Sequence, residues 1–105
     1  MNAETSDRFF LLRLNPPRPT FPADMTAQEG AVMQQHFGYW AELSRQRTAI
    51  VYGPVNDPNG TWGVAIIRVA DETAAHAIEA GDPAIRAGLG FRYDVLPMPQ
   101  ALVAT

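Results

Sequence analysis

The chain has 105 residues, 47% of them hydrophobic and 18% charged, with a net charge of −3. That length suits one small domain with a single core, expected over residues 1–105 with its core at about 8–97, and the composition excludes an intrinsically disordered chain. Cys is absent, which excludes disulfides, thiolate nucleophiles and Cys-based metal centres; all eight basic residues are Arg, which excludes a Schiff-base or Walker-type lysine. The acidic balance offers no general attraction to nucleic acid or to an anionic membrane surface. Apolar runs such as residues 9–12 fall far short of the ~20 residues a membrane helix needs. Residues 1–8 are polar and carry two acids, unlike a signal peptide, so a soluble, cytoplasmic chain is expected.

In chain order, Arg8-Phe-Phe-Leu-Leu-Arg-Leu14 is short, aromatic and branched, and reads as the first strand. Asn15-Pro-Pro-Arg-Pro-Thr-Phe-Pro22 forbids regular structure, because four prolines lack backbone donors and hold their neighbours extended. Thr26-Ala-Gln-Glu29 is a capping-box pattern opening a helix that runs to about Arg47. Along it Val32, Met33, His36, Phe37, Tyr39, Trp40 and Leu43 recur at spacings of three and four, a wide apolar stripe. Ala49-Ile-Val-Tyr52 is the second strand, stopped by Gly53-Pro54. Asn56-Asp-Pro-Asn-Gly60 is a dense turn signal before a third strand over 61–69, so the second and third strands form a hairpin. Asp71-Glu72 opens a second helix that ends near Gly81. Asp82-Pro83 restarts a helical turn, with Asp as cap and Pro at the first helical position. Gly88 and Gly90 close that turn, residues 91–96 form the fourth strand, and the tail beyond Pro97 is expected to be loosely held.

The order strand, helix, strand, strand, helix, strand predicts an α+β, ferredoxin-like fold, a four-stranded antiparallel sheet with both helices on one face. The strand patterns conflict with a sheet that is wet on its other side. Phe10, Leu12 and Leu14 point one way, yet Phe9 and Leu11 point the other; Trp62, Val64 and Ile66 likewise oppose Ala65, Ile67 and Val69. Two helices cover only one face. A second copy of the chain packed sheet on sheet is the expected cover, with an apolar ligand as the competing occupant.

Two histidines are candidates for chemistry. His76, with Glu72 four residues before it and Glu79 three after, sits on the polar face of the second helix as a solvated histidine. His36 sits inside the apolar stripe and needs a specific partner, since an unpaired buried polar group costs roughly 1–3 kcal/mol. It is either a core histidine bonded to a carbonyl or, with a reference pKa of ~6.5, a general acid/base. Asp57 offers a base its orienting carboxylate, although Asp-Pro-Asn-Gly is also ordinary turn chemistry. Arg13 and Arg18 flank the proline loop and suit a substrate carboxylate, or else solvated surface roles; the Tyr39 hydroxyl can donate into a pocket or sit in the core. Gly88-Leu-Gly90 lacks the context of a phosphate loop, no Gly-x-Ser-x-Gly elbow exists, and two histidines on unlike helix faces make no metal site. No cofactor or metal is expected.

Met33-x-x-His36-x-x-Tyr39, then Gly53-Pro54-x-x-Asp57-x-x-Gly60, then Asp82-Pro83, resembles the YCII-related family of dimeric α+β-barrel proteins. The resemblance covers roughly residues 8–97. It implies a homodimer and a site near the subunit interface in which a helix-1 histidine pairs with an aspartate of the hairpin loop. Carried onto this chain, His36 is the acid/base and Asp57 its partner, with Arg18, Tyr39 and Asp82 as substrate-binding candidates; Asp82 also suits a helix cap alone. Related barrels handle small aromatic or lactone compounds. The expected function is therefore acid–base chemistry of lyase or isomerase type on a small molecule. The alternative is a non-catalytic dimeric module that binds a small ligand or another protein.

Overall fold

A computed structural model describes residues 7–104; residues 1–6, on which most of the signal-peptide reading rests, and Thr105 lie outside the described residues. The elements are β1 (Arg8–Asn15), α1 (Ala27–Arg45), β2 (Ala49–Val55), β3 (Trp62–Val69), α2 (Glu72–Gly81), α3 (Pro83–Arg86) and β4 (Arg92–Pro97). All strand pairs are antiparallel, in the order β2-β3-β1-β4, and the sheet stays open. This is the α+β, ferredoxin-like arrangement that the element order implies. Among the described residues no helix is long and apolar enough to cross a membrane.

Local chemistry explains the boundaries. Thr26 accepts from the Glu29 amide at 3.1 Å, and the Glu29 carboxylate accepts from the Thr26 amide at 3.0 Å, closing the capping box at the start of α1. Asp71 caps α2 by accepting from the Ala74 amide at 2.8 Å. One boundary differs from expectation: β2 does not stop at Gly53-Pro54 but continues to Val55, with Pro54 opposite Gly63. The strand order puts β2 at the sheet edge, where a residue without an N–H can sit in a strand with that position facing outward.

Side-chain alternation sorts the sheet into two faces. Phe10, Leu12, Ala65 and Ile67 are buried with Trp40 of α1 and Ala75 of α2, so both long helices lie on that face. A second cluster of Leu14, Met33, Ala84 and Phe91 continues the core beneath the first half of α1. On the open face the register aligns Val51, Ile66, Leu11 and Leu96 in one row across all four strands. The outer two of these are 54% and 50% exposed.

Candidate active site

Residues of α1, the sheet and the proline loop enclose a cavity of about 490 Å³. Gly63 helps to open it. Its missing side chain faces Leu14, whose Cβ would lie 3.3 Å from a Cβ built there. The proline loop closes one end with Pro16, Phe21 and Pro22. Phe21 is fixed edge-on to Phe91 with ring centroids 5.2 Å apart. His36, Phe37 and Trp40 form the α1 wall; Tyr52 and Tyr93 rise from the sheet.

His36 is paired with Asp82. Its Nδ1 lies 2.8 Å from Oδ2 and 3.0 Å from Oδ1 of that carboxylate, which has no exposed surface. The same carboxylate accepts from Trp40 Nε1 at 2.9 Å, the Tyr93 hydroxyl at 2.6 Å and the Ala84 amide at 2.8 Å. Burial pushes the Asp82 carboxyl up, but the bond from His36, the charge of that ring when protonated, and the bonds from Tyr93 and Ala84 outweigh it and hold the group below its ordinary value. Burial and the Asp82 charge together raise the Tyr93 hydroxyl, which stays protonated and donating.

An ionised carboxylate only accepts, so Nδ1 of His36 carries the proton facing it. In the neutral imidazole the lone pair is then on Nε2, the nitrogen left to the cavity. The imidazole is 12% exposed, enough to meet a ligand.

The expected pairing of His36 with Asp57 is corrected by this geometry. Asp57 accepts from the Asn59 amide at 2.8 Å and from Trp62 Nε1 at 3.0 Å, and does not line the cavity. Those two bonds, the amide first, lower its pKa. An Asp in an Asx turn satisfies its own hairpin, leaving the segment after α2 to supply the carboxylate. Asp82 is thus both the cap of α3 and the His36 partner, and it has no exposed surface.

Arg18, expected at the substrate, does not line the cavity. It grips Glu29 through both terminal nitrogens at 2.7 and 2.8 Å, donates to the Asp24 carbonyl, and places Nε 2.9 Å from the Asp24 carboxylate. The guanidinium is held by Glu29 and Asp24 well above its ordinary pKa, while the Arg18 bond lowers Glu29 to about 2. It ties the proline loop to the start of α1. Tyr39 donates to the Ile78 carbonyl at 2.7 Å, turned towards α2 and away from the cavity. Its hydroxyl is raised by burial and by Asp82. His76 is the solvated histidine expected, bonded to Glu79 and Glu72 and raised by them.

Trp40 and Tyr93 as partners of Asp82 were not anticipated. A usable signal existed, because a buried Trp N–H or Tyr O–H needs an acceptor. Among the described residues no group of three or more His, Cys, Asp or Glu is placed to hold a metal ion.

An open α+β sheet carrying a helix-borne histidine, oriented by a buried carboxylate at the edge of an apolar cavity, defines the class of this protein. The YCII-related domain matches residues 10–99, and the chain belongs to that family. No curated protein matches it.

Proposed function

We propose that this protein is an acid–base enzyme of lyase or isomerase type acting on a small organic molecule, with His36 as the base and Asp82 as the residue that positions it. The observation carrying this reading is the Nδ1–Asp82 bond, which leaves Nε2 on the cavity. Asp82 stabilises the imidazolium formed when His36 takes a proton, and general acid–base catalysis of this kind is worth ~10²–10⁴-fold. A second copy covers the open face; the apolar row from Val51 to Leu96 supports this, and a sedimenting species of 11.5 kDa at micromolar concentration counts against it.

The tautomer is the direct test. Two-bond ¹⁵N–¹H correlation at neutral pH should show His36 protonated at Nδ1, with Nε2 bare. Wild-type protein in D₂O should then catalyse exchange at the acidic C–H of some enolisable compounds, and His36→Gln should not. A His36 protonated at Nε2, or exchange that survives in His36→Gln, overturns the reading.

The non-catalytic module draws on a separate observation. Asp82 also binds Trp40 and Tyr93, both packed in or against the core, so the pair helps to hold α1 to the sheet. On that reading His36→Gln lowers the melting temperature and changes nothing else.

A further inference from the structure

The cavity beside His36 restricts the charge of what can enter it. Among the described residues, none that lines it is Asp, Glu or Arg; its titratable groups are His36, Tyr52 and Tyr93. The Tyr93 hydroxyl already faces Asp82. Three arginines lie within two residues of a wall residue, and none of them lines the cavity; Arg92, between Phe91 and Tyr93 on β4, is exposed. Arg18 is held by Glu29 and Asp24; Arg13 is kept off the wall by the Trp62 ring, over which its guanidinium stacks at 4.4 Å with its Nε buried and, among the described residues, unpartnered. On the wall itself an anionic ligand would therefore meet no cation except a protonated His36, and it would face the fixed negative charge of Asp82 behind the wall. A cationic ligand fares no better, because both Asp82 oxygens are occupied by four donors and have no exposed surface. An ion of either sign would give up its hydration without a counterion to replace it.

From this we infer that the cavity takes an uncharged, mainly apolar molecule bearing one weakly acidic C–H or O–H, and disfavours carboxylates, phosphates and ammonium ions. The inference rests on the reading of His36 as the base. The volume of about 490 Å³ lies within the ~300–1,000 Å³ usual for small-molecule sites and accommodates a ring compound. During turnover the substrate X–H bond breaks, its proton goes to Nε2, and the electron pair stays on X. The imidazolium created in that step is the counterion of the new anion, so charge separates only inside the cavity and is removed when the proton returns. Gln34, Tyr52 and Thr61 are the remaining polar side chains on the wall, and they are suited to hydrogen-bonding a carbonyl or hydroxyl.

The test compares probes of one skeleton. Phenylacetone, phenylacetate and phenethylammonium are titrated into ¹⁵N-labelled wild type and into His36→Gln, following the amides of Met33, Phe37 and Gly63. Phenylacetone is expected to shift those amides at millimolar concentration in both proteins and to bind at least ~10-fold more tightly than either ion. Equal or tighter binding of an ion, or no shift from phenylacetone, overturns the inference. Deuterium exchange into phenylacetone, run alongside, separates the two readings. A neutral preference with exchange that persists in His36→Gln removes the base and keeps the ligand class. An ionic preference with exchange that depends on His36 removes the ligand class and keeps the base.

Discussion

Replacing Asp82 by Asn preserves the shape of the side chain and removes the negative charge that three side chains and one amide share. If the new amide nitrogen takes the Oδ2 position, it meets the donors of His36, Trp40 and Tyr93, now 2.8, 2.9 and 2.6 Å away. Turned the other way, it meets the Ala84 amide at 2.8 Å and uncaps α3. Either orientation leaves at least one buried donor unpaired, at ~1–3 kcal/mol each. It also weakens the charge-assisted bonds that remain. Breaking a buried ionic network typically costs ~3–5 kcal/mol, which is the loss expected here. For a domain of this size that is a fall in Tm on the order of 12–40 °C. Urea unfolding at pH 7, followed by circular dichroism, measures it, and a double-mutant cycle with His36→Gln isolates the pair. Coupling of ~0.5–3 kcal/mol is expected for residues in one network. A loss below ~1 kcal/mol for Asp82→Asn, or strict additivity with His36→Gln, would refute the assignment of Asp82 as the carboxylate that holds the site together.

Four further outcomes follow from particular positions. Asp57→Asn should leave the imidazole C2 proton titration of His36 unchanged, because Asp57 is bonded to Asn59 and Trp62; a displaced titration would restore it to the site. Glu29 has its folded pKa lowered from 4.5 to about 2, first by Arg18 and then by the Thr26 amide, so its contribution to stability is full above about 4.5 and fades as pH falls through about 2. Denaturation of wild type and Glu29→Gln across pH should therefore show a stability difference that is flat at neutral pH and vanishes at the acid end. A Cβ at Gly81 would lie 2.7 Å from the Tyr39 hydroxyl, so Gly81→Ala should destabilise by ~1–3 kcal/mol as Tyr39 is forced off its bond to Ile78. Gly38, in mid-α1 with nothing within 4 Å of a built Cβ, is the counter-case: Gly38→Ala should stabilise by ~0.5–1 kcal/mol in the same assay.

Much of this molecule was legible from local chemistry. The capping box at Thr26, the turn at Asp57 and the cap at Asp82 each depend on residues a few positions apart, and each forms where the pattern puts it. The topology followed because element order and right-handed twist leave few ways to pair four such strands. His36 was recognisable as a histidine that needed a partner, since it lay among apolar residues of one helix. The identity of that partner was not recognisable. Asp57 and Asp82 both stand in turn sequences followed by Pro, and nothing local separates the aspartate that serves its own hairpin from the one turned inward. That choice is made 46 residues along the chain from His36, where α2 ends against α1 and lays the start of α3 over Trp40 and Tyr93. Arg18 illustrates the same division: its charge and loop position suited an anion clamp, but folding brought Glu29 within reach first. Sequence thus determined which segments fold and which residue types could do chemistry. Tertiary packing decided which of them meet, because a buried carboxylate is stable only where enough donors converge on it, and those donors come from three separate parts of the chain.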